Sequence, residues 1–381
     1  MDRKYFNFIN ENKVIYMKTN RLLLFMTIAV LVFSCEKDDG DNDGKDGKGN
    51  LVIIENDITE FTTWSGDSVY LIKAWDFYVM NTLVIEPGAV IKFHPADGPD
   101  MTLSGSGTIM ANGTATKPIV FTSYKDDSRG GDTNEDGDAT NPSVKDWGNV
   151  NTNGTNGSVF KYCEFYYGGN SSYSTTLTFE AGSTGTVENC TFAHNAGDDA
   201  SGWYGALDFS SADKNSTLSG NIFYDNVRPL SVIADMDIPD DQVFHDPDDA
   251  YVTNKYNGIF VETIDEITRA NVSWLETEVP FVIDDNDWYI VSGASLTLGD
   301  NVILKFRPGS ELILDDGPSA LINYNGTGVY FTSYKDDIKL GDTNGDGTAT
   351  SPVKGDWIGI YDNSADLMFS WPNILYAQYP E

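Results

Sequence analysis

From residue 51 onward the chain alternates short apolar runs with Gly, Asn and Pro, and no stretch of useful length repeats apolar residues at helical spacing. Leu83-Val84-Ile85, Val90-Ile91-Lys92-Phe93, Leu103, Ile109-Met110-Ala111 and Pro118-Ile119-Val120-Phe121 are clusters punctuated by Pro87-Gly88, Gly107 and Asn112-Gly113. Their recurrence predicts an all-β chain in which each cluster is one side of a solenoid turn. A finer period follows: Cys163-x-Phe165, Cys190-x-Phe192 and Asn221-x-Phe223 align at spacings of 27 and 31, with Asn195 and Asn226 three residues after the last two Phe. In turns stacked about 4.8 Å apart, equivalent positions lie above one another. The pattern therefore predicts an internal aromatic stack of Phe165, Phe192 and Phe223 and a ladder of Asn195 and Asn226. Cys163 and Cys190 fall in equivalent positions too; buried free thiols are expected, with a disulfide as the alternative.

A much longer repeat overlies this one. Phe121-Thr-Ser-Tyr-Lys-Asp-Asp127 recurs as Phe331-Thr-Ser-Tyr-Lys-Asp-Asp337, and Gly131-Asp-Thr-Asn-Glu-Asp-Gly137 as Gly341-Asp-Thr-Asn-Gly-Asp-Gly347, both at an offset of 210. Asp146-Trp147 answers Asp356-Trp357, Val90 to Phe93 answers Ile303 to Phe306, and Ile58-Thr59 and Trp64 answer Ile267-Thr268 and Trp274. One unit is duplicated, as copy 1 over residues 51–260 and a shortened copy 2 over 261–381.

The strand Ile85-x-Pro-Gly-x-Val-Ile-x-Phe93, the turn Gly107 to Gly113 and the strand Pro118-Ile-Val-Phe-Thr-Ser123 resemble the right-handed parallel β-helix superfamily, the pectate-lyase-like solenoids, and within it the secreted β-helix proteins of Bacteroidetes. The resemblance covers residues 80 to 230 and 290 to 376. It implies a right-handed parallel β-helix solenoid with loop insertions. It does not single out an activity, because that fold hosts lyases, hydrolases, adhesins and inert stalks.

Upstream, Leu22 to Phe33 is an apolar run preceded by Lys18 and Arg21, too short to span a bilayer, which needs about 20 residues. Residues 1–34 read as a signal peptide, with Met17 an alternative start. Leu31-Val32-Phe33-Ser34-Cys35 resembles a bacterial lipobox, which implies lipidation at Cys35; Val32 and Phe33 depart from the usual Leu and small residue. Glu36-Lys37-Asp38-Asp39 is similar to the acidic export signal of Bacteroidetes lipoproteins, which implies an outer-membrane anchor facing the exterior. Residues 35–50, mostly Asp, Gly, Lys and Asn, form a tether that cannot bury a core.

Charge narrows the partners. The chain has 24 Lys+Arg against 58 Asp+Glu, a net charge of −34. Removing residues 1–34 takes five basic and two acidic residues, leaving 19 against 56, a net of −37. Such a surface repels phosphate backbones, so no nucleic-acid partner is expected, and the membrane is met only through the lipid anchor. Cations are the favoured partners. Asp132-x-Asn134-x-Asp136-Gly137 and Asp342-x-Asn344-x-Asp346-Gly347 put oxygen ligands at alternate positions before a turn-permitting Gly, as an EF-hand-type loop does for calcium. Oxygen donors without His or Cys select Ca²⁺ over zinc. Ser143 and Val353 stand where an EF-hand has its bidentate Glu, so the remaining ligands are expected from Asp126, Asp127 and Asp146 in copy 1 and from Asp336, Asp337 and Asp356 in copy 2. The expected role is structural, stapling an insertion that leaves the coil after Tyr124 and returns at Trp147. An acidic turn without an ion is the competing reading.

Catalytic candidates are few. His194 and Arg228 each sit just beyond a stacked Phe, with Lys161, His245, Asp198, Asp199 and Asp208 nearby in sequence. Lyases on this fold use calcium together with a Lys or Arg base, but the paired-Asp and Gly-His-Gly patterns of polygalacturonase-like hydrolases and the Gly-x-Ser-x-Gly elbow are absent. Aromatics in Gly-rich loops, Tyr166, Tyr167, Trp203 and Tyr204, are candidates for stacking on sugar rings. The sequence therefore favours binding or display toward an extracellular polysaccharide or cell-surface partner. A polysaccharide lyase or hydrolase is the first alternative, and a stalk or adhesin without a small ligand the second.

Overall fold

Three parallel sheets carry most of the strands, and from residue 62 to 233 each coil gives one short strand to each of them. The computed structural model describes residues 50–94, 100–172, 174–199, 202–262, 266–283 and 287–379. The segment expected to be a signal peptide, Cys35 and the expected tether up to residue 49 lie outside the described residues. A seven-stranded sheet runs from Asn50–Ile54 through Val90–Phe93 and Ile119–Ser123 to Ile222–Tyr224, and a six-stranded sheet from Thr62–Trp64 to Thr217–Ser219. The third, ten-stranded, runs from Asp76–Val79 to Tyr330–Ser333. Neighbouring strands within these sheets pair in parallel, coil upon coil. The molecule is all-β and its architecture is a parallel β-helix.

Period-2 patterning explains the inside and the outside. In Thr108–Asn112, Ile109 and Ala111 are buried while Thr108 and Met110 are half-exposed. Corners are tight. Tyr162, Asn189 and Gly220, at φ of 48°, 53° and 63°, turn successive coils from the six-stranded to the seven-stranded sheet within one or two residues. Such a left-handed residue reverses the face to which side chains point. Coils also approach closely: a Cβ at Gly107 would lie 1.9 Å from Val79 O.

The interior is stacked ring on ring. Phe121, Phe165, Phe192, Phe223 and Phe244 follow one another at centroid distances of 4.7, 4.8, 5.3 and 5.3 Å. Beside them Asn195 donates to Asn226 Oδ1 (3.1 Å) and Asn226 to Asn254 Oδ1 (2.8 Å), so the ladder is one rung longer than the sequence spacing gave. Each amide also donates to the backbone carbonyl of the preceding coil, at Phe165 and Phe192 respectively. Cys163 and Cys190 are free and buried in neighbouring coils, and burial pushes the Cys163 thiol up.

The two copies occupy the coil differently. Val90–Phe93 lies in the seven-stranded sheet, but its counterpart Ile303–Phe306 lies in the ten-stranded one. Asp76–Val79 lies in the ten-stranded sheet, while Asp287–Ile290 opens a separate four-stranded sheet. Equivalent contacts survive the shift: the Ile58 to Val79 bridge reappears as Ile267 to Ile290. Copy 2 is thus the same unit turned one face further round the coil, and the ten-stranded sheet is the third face of copy 1 and the second face of copy 2.

Candidate metal centres and outer-face residues

In each copy the insertion folds back over the outside of the strand it leaves. Strands Ser68–Ile72 and Ile119–Ser123 are consequently buried on both faces. Beneath the first insertion lies Lys92, with no exposure, whose Nζ donates to Asp126 O (2.8 Å), Gly131 O (2.7 Å) and Thr133 Oγ1 (3.2 Å). Lys305 repeats this under the second, donating to Gly341 O (2.6 Å) and Thr343 Oγ1 (2.8 Å). Burial lowers both lysines to about 8, although nearby carboxylates, Asp126 and Asp336 first, act the other way. Sequence reasoning gave these lysines no role; a Lys inside an otherwise apolar strand, in both copies, was the available signal.

The loop ends are fixed by tryptophan. Trp147 stacks on Phe93 at 4.1 Å and donates Nε1–H to Tyr166 O (2.7 Å); Trp357 stacks on Phe306 at 4.0 Å and donates to Leu375 O (2.8 Å).

Within each loop the structure gathers three carboxylates. Asp127, Asp132 and Asp136 present oxygens within 4.8 Å of one another, and Asp337, Asp342 and Asp346 do the same. Ca²⁺–O distances of about 2.3–2.6 Å place opposite ligands around one ion about 5 Å apart, so the spacing fits a single calcium. Asp127 Oδ1, Asn134 Oδ1, Asp136 Oδ1 and Asp337 Oδ1 are buried oxygens without a hydrogen-bond partner among the described residues. Buried acceptors are ordinarily satisfied, and a cation would satisfy these. Burial and then the neighbouring Asp132 raise the Asp127 carboxyl; burial and Asp342 raise Asp337. Asn344 belongs to the second loop, its Nδ2 donating to Asp346 Oδ2 at 3.1 Å as Asn134 Nδ2 does to Asp136 Oδ2 at 2.9 Å.

The other four acids expected at these sites have different partners. Asp126 accepts from Thr122 Oγ1 (2.7 Å) and Ser128 Oγ (2.6 Å), and Asp146 from Ser123 Oγ (2.7 Å) and Lys125 Nζ (2.8 Å). Asp336 accepts from Thr332 Oγ1 (2.6 Å), and Asp356 from Ser333 Oγ (2.7 Å) and Lys335 Nζ (2.8 Å). They tie the loop ends to the strand and stand outside the carboxylate clusters.

Of the catalytic candidates, Arg228 is fully buried, its guanidinium 3.9 Å from the Phe260 ring centre and donating to the Gly202 and Asp199 carbonyls. It clamps a loop and does not face solvent. Trp203 packs beside Arg307, 5.9 Å from its guanidinium, and Tyr204 lines a cleft of about 200 Å³ with Glu180, Asp208 and Ser211. His194 is different. Its Nδ1 lies 2.6 Å from Asp225 Oδ2, and its ring stacks on half-exposed Tyr167 at 5.4 Å and meets Tyr224 edge-on at 5.8 Å. Tyr166 is buried, its hydroxyl bound by Arg129 (3.1 Å) and donating to Glu164 (3.2 Å). Lys161 pairs with Glu188 (2.6 Å) and His245 with Glu278 (2.5 Å). The outer strip at this face is therefore Tyr167, His194 and Tyr224.

No family model, curated protein or solved structure matches the chain.

Proposed function

We propose that the chain is a secreted, pectate-lyase-like β-helix lipoprotein of the Bacteroidetes type, anchored through Cys35 in the outer membrane facing outward, and that it binds extracellular carbohydrate from a scaffold stapled by two Ca²⁺ ions. The observation that carries this reading is the duplicated cluster of three carboxylates, each with a buried acceptor oxygen left open toward its centre. A structural ion fits loops that are held against their strands by Lys92 and Lys305 beneath them and by Asp126, Asp146, Asp336 and Asp356 at their ends. Binding rather than turnover is supported by Arg228, which is sealed inside, and by the half-exposed Tyr167, His194 and Tyr224 strip on the outer face.

Calorimetric titration of the chelator-treated protein is expected to show two calcium equivalents per chain together with a higher melting temperature. No heat and no thermal shift would sink the calcium reading. A polysaccharide array, read for retention and for unsaturated products, tests the rest. The His194 to Asp225 pair favours a second reading, a lyase or hydrolase, which product formation abolished by His194→Ala would establish.

A further inference from the structure

The tail of copy 2 builds a feature that no motif announced. Strand Leu321–Ile322 ends in a turn with positive φ at Asn323 (62°) and Gly328 (71°), and the tail folds back across it. Asn373 locks the two together, donating from Nδ2 to Tyr324 O (2.7 Å) and Val329 O (3.0 Å). Trp371 stacks at 4.2 Å on buried Phe369 and at 3.9 Å on Tyr324, so consecutive rings stiffen the wall between turn and tail. The result is a cleft of about 470 Å³, with Tyr324, Asn325, Gly326, Tyr330, Trp371 and Asn373 among its lining residues. A second cleft of about 320 Å³ adjoins it across Trp371, with Lys354, Tyr376 and Tyr379 on its walls.

The absence of acid from these walls is informative. The chain has 58 Asp+Glu, yet among the described residues no carboxylate lines either cleft, and the larger is lined by no charged residue at all. Ligand sites combine an apolar, aromatic lining with a few polar groups that fix orientation, in volumes of about 300–1,000 Å³. Rings that stack on C–H faces, flanked by amides that pair with hydroxyls, match a pyranose. A cationic sugar would find no carboxylate in the larger cleft, and an anionic one would meet the chain's negative field, since the ammonium of Lys339 is held over the Tyr330 ring at 3.3 Å and is not among the lining residues.

We propose that this cleft is a binding site for a neutral pyranose unit of an oligosaccharide, with the adjoining cleft receiving the next unit. The assignment rests on the carbohydrate-binding reading above and names the subsite and sugar class. It is tested with the full chain by titrating neutral gluco-, manno- and galacto-oligosaccharides and, separately, oligouronates. Asn325 is exposed, so Asn325→Asp adds a charge to the wall without touching the core. Neutral oligosaccharides are expected to bind, with affinity reduced at least tenfold by Asn325→Asp and by Tyr330→Ala, while oligouronates do not bind. Neutral binding that survives both cleft variants at an unaltered melting temperature, or that Tyr167→Ala alone removes, overturns the cleft and leaves the functional reading standing. Retention of oligouronates only overturns the neutral-sugar assignment. Retention of no glycan at all overturns the functional reading and the cleft with it.

Discussion

Asp127 and Asp146 occur in the same acidic stretch, yet they answer different physical demands. Asp127 faces Asp132 and Asp136 with an open oxygen, whereas Asp146 is saturated by Lys125, Ser123 and Ser143. Asp127→Asn should therefore act with opposite signs in two buffers. In chelator it removes like-charge repulsion and raises the melting temperature; in calcium it removes a ligand, weakens the ion roughly tenfold and lowers the melting temperature relative to wild type. Asp146→Asn should lower it in both. Thermal denaturation of both variants with and without calcium decides the matter, and parallel behaviour of the two would count against an ion at the cluster. That Asp132 and Asp136 come together was legible in the sequence because spacing within one loop is local. Which of the flanking acids join them was not, since Thr122, Ser123 and Lys125 compete for Asp126 and Asp146, and spacing carries no record of that competition.

At the level of strands and coils, the phenylalanine column is the feature that the chain spells out most directly. A recurring Cys/Asn-x-Phe at near-constant spacing can be satisfied only if successive coils superpose, and Phe165, Phe192 and Phe223 do superpose. The column's ends, Phe121 and Phe244, were less legible, because an insertion precedes Phe165 and a hairpin, His245–Asp246 with Asp249–Thr253, follows Phe244. Phe192 has a ring on each side and no exposure. Phe192→Ala should cost about 3–5 kcal/mol, because coils held in register by their neighbours cannot collapse into the void, and Phe192→Leu markedly less. Urea unfolding midpoints at fixed calcium measure the difference. A cost below about 1 kcal/mol for Phe192→Ala would mean that the column does not hold the coils.

Across the whole molecule, buried ionisable groups set a pH profile. Burial pushes Glu276 up to about 7, and Asp208 and Asp100 up to about 6. Between the ordinary carboxyl range and these values the folded chain holds protons that the unfolded chain has released, so the contribution of these groups to stability falls as pH rises through that window. Lys92 and Lys305 run the other way. Lowered from 10.5 to about 8, they are charged at neutral pH against the cost of burial, and their contribution recovers only as pH climbs from about 8 toward 10.5. Asp316, held low by hydrogen bonds from Gly293 N–H and then Ser292, favours the fold above the usual Asp range and loses that as pH falls through its lowered value. Calorimetry in chelator is expected to give a higher melting temperature near about pH 5 than near about pH 7.5. Calcium should narrow the gap by neutralising carboxylates that repel at the higher pH. A rise between those two points without calcium would contradict the burial of these acids.

The rotation between copies was the least legible property of all. Identical motifs 210 residues apart record a duplication but not how many sides of the coil lie between them, which the junction from Leu230 to Glu262 decides. That junction has a geometric consequence for growth by duplication. A third unit joined in the same way would advance by one more side, and a fourth would return its loop to the azimuth of the first. Repetition of this unit thus builds a spiral staircase, in which successive insertions decorate the shaft on every side instead of crowding a single edge.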